Sequence, residues 1–304
     1  MAGGTAPAAG CSLGGTTAVA FFYLLGSARF LGDHALLLCW QPSLSSERGF
    51  TILKELYDKD VTKDNFLDLL DDAKEALKGK THARFVFFLA SHGFLDEDED
   101  GWICCHGTKL TGMNRTCVKM KELKDFARGL DCGHQLYLLD CCHAGSLLVG
   151  TRGAPTKFEL AQMSKPAVYG MTAVTRDEEA LEAGGHGLFT KTLVEGLLGG
   201  VDTGDRGYMT SLELFSYVQR GVFAEADRRG KAQTPKCEPL HQMHKKKSCD
   251  GQVLFFRDEG SAAGTASMAG PVSPQRPPKL LASLRSLDKS SPQFAGPSPS
   301  ARMA

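Results

Sequence analysis

The stretch that decides the fold is QLYLLDCCHAG, residues 135–145. It begins with a short apolar run, which predicts a buried β-strand, and continues into two adjacent cysteines. A second stretch of the same form, RFVFFLASHG at residues 84–93, ends on His92 and Gly93. Active sites of open parallel sheets lie outside the carboxyl ends of the strands. We therefore expect His92 and Cys142 to meet at one edge of a sheet.

The composition is that of a globular protein with a sizeable core. The chain has 304 residues, 42% of them hydrophobic, and its 35 Lys and Arg balance 35 Asp and Glu. It therefore has no overall charge that would attract nucleic acid or an anionic membrane, and no apolar run approaches the roughly 18 residues of a membrane span. The ten cysteines lack the spacing of a small secreted disulfide scaffold. We expect a cytoplasmic protein with reduced thiols and with no nucleic-acid or membrane partner.

Alternating strand and helix patterns predict an α/β fold with a mostly parallel central sheet flanked by helices. The predicted strands cover residues 18–26, 84–90, 135–140, 167–173 and 252–256. The predicted helices run from Thr62 to Gly79, around Leu123 to Leu130, from Gly187 to Leu198, and onward from the capping-box pair Thr210 and Glu213. Residues 33–40 have an apolar pattern compatible with one more helix.

The composition changes after Phe256. Seven of the 13 prolines lie between Pro271 and Pro299, among Ser, Ala and Gly. Such a segment cannot bury enough apolar surface to offset the entropy of ordering it, so we predict disorder. Four leucines between Leu280 and Leu287 make a short amphipathic pattern that would suit a protein partner, although such patterns also arise by chance.

Three blocks together resemble the caspase-like cysteine peptidases, most closely the metacaspase branch. They are Ser91-His92-Gly93, Asp140-Cys141-Cys142-His143-Ala144-Gly145 and GHGLFT at residues 185–190, in the order found in the family. His92 also lies 50 residues before Cys142, a spacing that caspases share. The resemblance covers roughly residues 18 to 257 and implies the caspase-like fold.

The composition of the two ends, with Gly, Ala and Thr frequent in residues 1–16, and the resemblance over the middle together predict the domain organisation. The expected parts are a flexible N-terminus (1–16), a caspase-like peptidase domain (17–257) and a disordered Pro/Ser/Ala-rich tail (258–304). Within the domain, the large-subunit-like part runs to about residue 150, the linker covers about residues 146–166 and the small-subunit-like part covers 167–257.

The chemistry expected of these residues is nucleophilic catalysis. A thiol of ordinary pKa, about 8.5, is only a few per cent ionised near neutral pH, so a neighbouring imidazole makes it a usable nucleophile. We predict Cys142 as the nucleophile and His92 as the general base and acid. Alternation along the strand turns Cys141 the other way, as a packing residue. The resemblance implies that backbone N–H groups at Gly93 and Cys142 stabilise the oxyanion.

Asp140 is expected to set the substrate preference. It precedes Cys142 by two residues, so strand alternation puts both side chains on one face. In the family, caspases that cleave after Asp have Gln at this position, whereas metacaspases have Asp and cleave after Arg or Lys. The resemblance thus implies peptide or protein substrates with a basic P1 residue. Asp96, four residues after His92, is a candidate for a second charge in the same pocket.

The segment from Ser146 to Pro166 is long for a strand connection. Connections beyond about 12 to 15 residues are typically functional or disordered. Because members of the family often cut themselves between their two subunits, the resemblance implies self-cleavage after Arg152, Lys157 or Lys165.

No cofactor or metal is expected. Many metacaspases depend on calcium bound by Asp side chains before the helix that precedes the cysteine strand, but the comparable stretch here, VKMKE at residues 118–122, has two lysines. The acidic run from Asp96 to Asp100 lacks the pattern of a calcium loop and is expected to be an acidic surface loop. The residues Cys237, His241, His244 and Cys249 are of types that bind zinc. Their spacing is irregular and lysines interrupt it, so no zinc site is expected.

Two classes of function remain open. The first is an endopeptidase acting through Cys142 and His92, and the second is a catalytically weak caspase-fold scaffold or adaptor. The presence of both residues favours the peptidase. A first strand and helix, residues 21–46, that match the family only loosely favour the scaffold.

Overall fold

The computed structural model describes residues 18–25, 50–109, 111–141, 165–175, 178–183, 186–203 and 208–256. The strands are β1 (Ala18–Leu25), β2 (Ile52–Tyr57), β3 (Arg84–Ala90), β4 (Gly93–Leu95), β5 (Gly101–Cys104), β6 (Cys117–Lys119), β7 (His134–Asp140), β8 (Ala167–Thr172), β9 (Glu182–Ala183), β10 (His186–Gly187), β11 (Tyr208–Thr210), β12 (Lys236–Pro239), β13 (Met243–His244), β14 (Lys247–Ser248) and β15 (Leu254–Phe256). The helices are α1 (Lys63–Leu77), α2 (Met113–Thr116), α3 (Met120–Gly129), α4 (Leu188–Glu195) and α5 (Ser211–Arg228).

A six-stranded sheet in the order β12-β8-β7-β3-β1-β2 forms the centre of the molecule. Its pairs are parallel except the one at the edge, where β12 runs antiparallel to β8. Helices cover both faces of the sheet, because buried residues of β3 and β7 alternate between two hydrophobic cores. The predicted α/β fold with a mostly parallel central sheet is confirmed.

The two cores divide the side chains of the central strands by parity. Phe85, Phe87 and Leu89 of β3 pack with α1 and α3 in one core. Val86 and Phe88 of the same strand pack with α4 and α5 in the other. All seven residues of β3 are buried, which is why the strand after Arg84 is a continuous apolar run in the sequence rather than an alternating one.

The predicted helix boundaries follow from local capping chemistry. The Thr62 side chain accepts a hydrogen bond from Asn65 N at the start of α1, and Gly79, at φ 71°, follows its end. At the start of α5, Thr210 and Glu213 form the predicted capping box. Helix α4 ends at Glu195, before the predicted end at Leu198, and a π-helical turn over Gly196–Gly200 follows it.

Several elements were not predicted. A second sheet, β4-β5-β6, follows His92 directly, and the edge strand β12 has Lys, Cys, Glu and Pro in its four positions. The predicted strand over residues 252–256 is present as β15, but it pairs with β11 outside the central sheet. The possible helix at residues 33–40, the N-terminus and the proline-rich tail lie outside the described residues. Within the described residues, no helix has the length and apolar character needed to cross a membrane.

Candidate active site

The register of β3 and β7 aligns the two predicted catalytic positions. Ala90 is the partner of Asp140 at the last step of the parallel ladder, and Ser91 N donates to the Asp140 carbonyl at 3.1 Å. His92 comes two residues after Ala90, and Cys142 comes two residues after Asp140. Cys142 itself lies outside the described residues. His92 and Cys142 thus follow two neighbouring strands, each two residues after the aligned pair Ala90–Asp140.

The backbone at His92 is held by β5. Cys104 N donates to the His92 carbonyl at 2.9 Å, and the Ser91 hydroxyl donates to the Cys104 carbonyl at 2.7 Å. Cys104 therefore bonds to both residues that lead the chain out of β3. This bonding ties the half-buried His92 to the second sheet as well as to the first.

The same hydrogen bonds fix the direction of the Gly93 peptide. In antiparallel pairs, hydrogen-bonded and non-hydrogen-bonded positions alternate. Cys104 N donates to His92 O and Asp96 N donates to Asp100 O, so these two pairs are hydrogen-bonded. By alternation, the aligned pair of Gly93 and Ile103 is non-hydrogen-bonded. The Gly93 N–H then points away from β5, toward the edge of β4 that no described strand covers.

Asp140 is fully buried, with 0% exposure, at the start of α4. Its Oδ2 accepts hydrogen bonds from the Thr190 backbone N–H at 3.2 Å and from the Thr190 hydroxyl at 2.5 Å. Gly187 is so close that a Cβ at this position would lie 2.2 Å from the same oxygen. Asp140 thereby links β7, before the predicted linker, to α4, after it.

Cys141 has the opposite orientation to Asp140. It is 1% exposed and packs in the core with Leu139 and Tyr137, whereas Asp140 contacts α4 on the other face. The prediction that Cys141 is a packing residue is confirmed.

Asp96 closes the β4–β5 hairpin. Its Oδ2 accepts from Trp102 Nε1 at 2.7 Å, and its Oδ1 accepts from the backbone N–H groups of Asp98 and Asp100. The hydrogen bond from Trp102 is the main cause that lowers the pKa of Asp96. The residues from Glu97 to Asp100 are exposed, as predicted for an acidic surface loop. A role for Asp96 in substrate binding stays a prediction.

Of the three predicted processing sites, only Lys165 lies within the described residues. Its Nζ forms a 2.8 Å ion pair with Asp250, and the carbonyl of the next residue, Pro166, accepts a hydrogen bond from Gly251 N. The chain at Lys165 is therefore packed against the segment that leads to β15. Arg152 and Lys157 lie outside the described residues.

No group of three or more His, Cys, Asp or Glu side chains in the described ranges is placed to hold a metal ion. Cys237 packs beside one core of the central sheet, and Cys249 belongs to the other core. At the start of α3, Lys119 pairs with Asp100 at 2.9 Å and Lys121 with Asp125 at 2.7 Å. Residues 118–122, the stretch compared with the calcium-binding segment, thus carry two ammonium groups.

Comparisons with known proteins give distant similarities. No family model and no curated protein matches the chain. Among solved structures, the Geobacter sulfurreducens protein GSU0716 is 15% identical with a TM-score of 0.47, over 76% of this chain and 99% of that one. Caspase-1 from Spodoptera frugiperda is 14% identical with a TM-score of 0.47, over 77% and 91%. The fold of this chain is given by its own sheet order, β12-β8-β7-β3-β1-β2.

The contact between Gly187 and Asp140 predicts that a methyl group added at Gly187 destabilises the fold more than one added at Gly129. Gly187→Ala would force its Cβ into the Asp140 carboxylate, and we expect a loss of about 1–3 kcal/mol in the free energy of unfolding. Gly129→Ala at the end of α3 is the matched control, because its Cβ would meet no atom within 4 Å. Urea unfolding of both variants measures the difference, and equal stabilities would contradict the described packing.

Proposed function

We propose that the chain is a cysteine endopeptidase with a caspase-like fold of metacaspase type. Cys142 is the nucleophile and His92 the general base and acid. The observation that carries the proposal is the alignment of Ala90 with Asp140, because both proposed residues follow that pair by two positions. Side chains at the carboxyl ends of adjacent parallel strands are the usual source of catalytic groups in such sheets.

In the proposed reaction, His92 accepts the thiol proton of Cys142 as the sulfur attacks the carbonyl carbon of the scissile peptide bond. The negative charge that develops on the carbonyl oxygen is stabilised by the N–H groups of Gly93 and Cys142. The outward direction of the Gly93 N–H supports its part in this role. His92 then protonates the leaving amine, which leaves a thioester on Cys142. Water hydrolyses this thioester with His92 again acting as base.

Asp140 is the proposed determinant of a basic P1 residue. Its carboxylate is fully buried on the face of β7 opposite Cys141, and it is held at the start of α4 by Thr190. A buried carboxylate is a strong selector, because a neutral partner leaves its charge without compensation. Arg should be preferred to Lys, since its planar guanidinium can pair with a carboxylate through two hydrogen bonds. Asp96, whose two oxygens bond within the β4–β5 hairpin, is the proposed second charge of the same pocket.

Self-cleavage in the linker belongs to the same proposal. Cleavage after Lys165 would have to break the hydrogen bond between Gly251 N and the Pro166 carbonyl as well as the ion pair with Asp250. Arg152 and Lys157 are therefore the favoured processing sites.

The loose match of the N-terminal region to the family is what favours the scaffold alternative. Strand β1 is incorporated in the central sheet, paired with β2 on one side and β3 on the other, although its register shifts within both pairings. The pairing of β1 with both β2 and β3 supports the peptidase over the scaffold, while residues 26–49 lie outside the described residues.

The first test is the pair of catalytic residues. We expect Cys142→Ala and His92→Ala to abolish cleavage of Arg-containing peptides, because each removes one half of the nucleophile–base pair. Cys141→Ala is the control for general damage to the strand, and it should keep much of the activity because its side chain is buried in the core. Initial rates with a fluorogenic peptide measure all three. Activity in Cys142→Ala together with its loss in Cys141→Ala would reverse the assignment.

The second test is the P1 preference. We expect peptides with Arg at P1 to exceed those with Gln in kcat/KM by about a hundredfold to a few thousandfold, the equivalent of roughly 3 to 5 kcal/mol. Lys should fall between them and Asp should be worst, through repulsion from Asp140. Asp140→Asn should remove most of the difference.

The matched control for this test is Thr190→Val. It removes the hydroxyl that bonds to Asp140 but leaves the carboxylate in place. It should lower the rates for all peptides by a similar factor and keep the preference for Arg. If Asp140→Asn instead changed all peptides alike, the carboxylate would be an anchor for α4 and not a selector.

The third test is calcium. With Lys119 and Lys121 at the start of α3, we expect a calcium chelator to leave peptidase activity unchanged. Loss of activity in the chelator, restored by calcium, would contradict this expectation.

A further inference from the structure

Two cysteines of the second sheet lie directly opposite each other. In the antiparallel pairing of β5 with β6, Cys104 is the partner of Cys117, next to the pairs Ile103–Val118 and Trp102–Lys119. Both residues are thiols in the structure. They also belong to the sheet that holds the backbone of His92, through the bond from Cys104 N.

The hydrogen-bond pattern shows which kind of pair they form. The peptide groups of Cys104 face β4, because its N–H donates to His92 and its carbonyl accepts from the Ser91 hydroxyl. Alternation along β5 then turns the peptide groups of Ile103 toward β6. Cys104 and Cys117 are therefore a non-hydrogen-bonded pair, the kind in which opposite Cα atoms are only about 4.5 Å apart. This separation lies at the short end of the roughly 4.4–6.8 Å range that disulfides span.

A neighbouring pair in the same ladder has the side-chain arrangement expected of this geometry. Trp102 and Lys119, two residues along, form the next non-hydrogen-bonded pair on the same face of the sheet. The Lys119 Nζ lies 4.7 Å from the centre of the Trp102 ring, as expected for side chains that stand side by side. The Cys104 and Cys117 side chains project from this same face.

The thiols differ in access. Cys104 is half-buried and can be reached from solvent, whereas Cys117 is 0% exposed, with the Thr108 hydroxyl 3.5 Å from its sulfur. The adjacent Cys105 belongs to the core on the other face, and burial raises the pKa of its thiol to about 12. An oxidant in solution would thus meet Cys104 first, and among the described residues the thiol opposite it on the same face is Cys117.

We propose that Cys104 and Cys117 form a redox modification site, converted to a cross-strand disulfide by a peroxide or by a low-molecular-weight disulfide. With hydrogen peroxide, the Cys104 sulfur attacks one oxygen, the O–O bond breaks, and a sulfenic acid and water result. The Cys117 sulfur then displaces the sulfenic oxygen as a second water, so that two electrons pass from the thiols to the peroxide. With oxidised glutathione, two exchange steps release two molecules of reduced glutathione.

The modification is reversible and adjoins the candidate catalytic base. Because Cys104 is half-buried rather than fully buried, low-molecular-weight thiols can reach the disulfide and reduce it by exchange. The closed loop contains Thr108, whose hydroxyl donates to the Cys105 carbonyl, and the link fixes β5 against β6 behind His92. Formation of this disulfide does not require peptidase activity.

The test uses the full-length Cys142→Ala variant, so that the proposed nucleophile takes no part. The protein is treated with hydrogen peroxide or oxidised glutathione, its remaining thiols are alkylated, and it is digested with trypsin. Cleavage after Lys109 and Arg115 separates the peptide that carries Cys104 and Cys105 from the peptide Thr116–Lys119. We expect these two peptides to be joined, and reduced glutathione to release them.

Two further variants identify the cysteine. Adding Cys105→Ser should leave the linked peptides unchanged, whereas adding Cys104→Ser should abolish them. Separate alkylated peptides after oxidation of the Cys142→Ala protein, or a link that persists without Cys104, would overturn the proposal. The oxidation of the Cys142→Ala protein keeps Cys104, Cys105 and Cys117. Poor folding of the Cys104→Ser or Cys105→Ser variant therefore does not affect that measurement.

Discussion

The structure depends on the parallel pairing of β3 with β7. Each strand is apolar on both faces, so each contributes side chains to both cores, and burying a residue such as Phe87 or Phe88 stabilises the fold by roughly 1.5–3 kcal/mol. A shift of one residue in either strand would exchange the two faces of that strand. The same register that keeps both cores filled also aligns Ala90 with Asp140. Packing in the sheet and the geometry of the candidate site are therefore set by one constraint.

The strength of this constraint explains why the sequence predicts β3 and β7 so well. Their apolar runs are short, uninterrupted and bounded by polar residues, and the helices α1 and α5 begin at side chains with clear capping chemistry. Strand β12 escaped prediction because its four residues include Lys, Glu and Pro, which suit an exposed edge. The hairpin of β4 and β5 escaped it because strands of three and four residues carry no periodicity.

The contacts of Asp140 show a second limit of sequence reasoning. Its position before Cys142 singled it out, but its partners Thr190 and Gly187 are about 50 residues away and meet it only through the fold. A signal was present in the GHGLFT block, where a glycine precedes the helix and a threonine is its third residue. Asp96, by contrast, is predicted only from its proximity to His92 in the chain. In the fold, its carboxylate accepts a hydrogen bond from the indole of Trp102, six residues further along.

The most direct measurement is covalent labelling of the intact chain with a peptide chloromethyl ketone that has Arg at P1, followed by mass spectrometry of the cysteine peptides. If His92 and Cys142 form a nucleophile–base pair beside Asp140, the reagent will alkylate Cys142 among the ten cysteines, and the same reagent with Asp at P1 will not. The label will be lost in His92→Ala. Alkylation spread over other cysteines according to their exposure, or equal labelling by the two reagents, would contradict the proposed site.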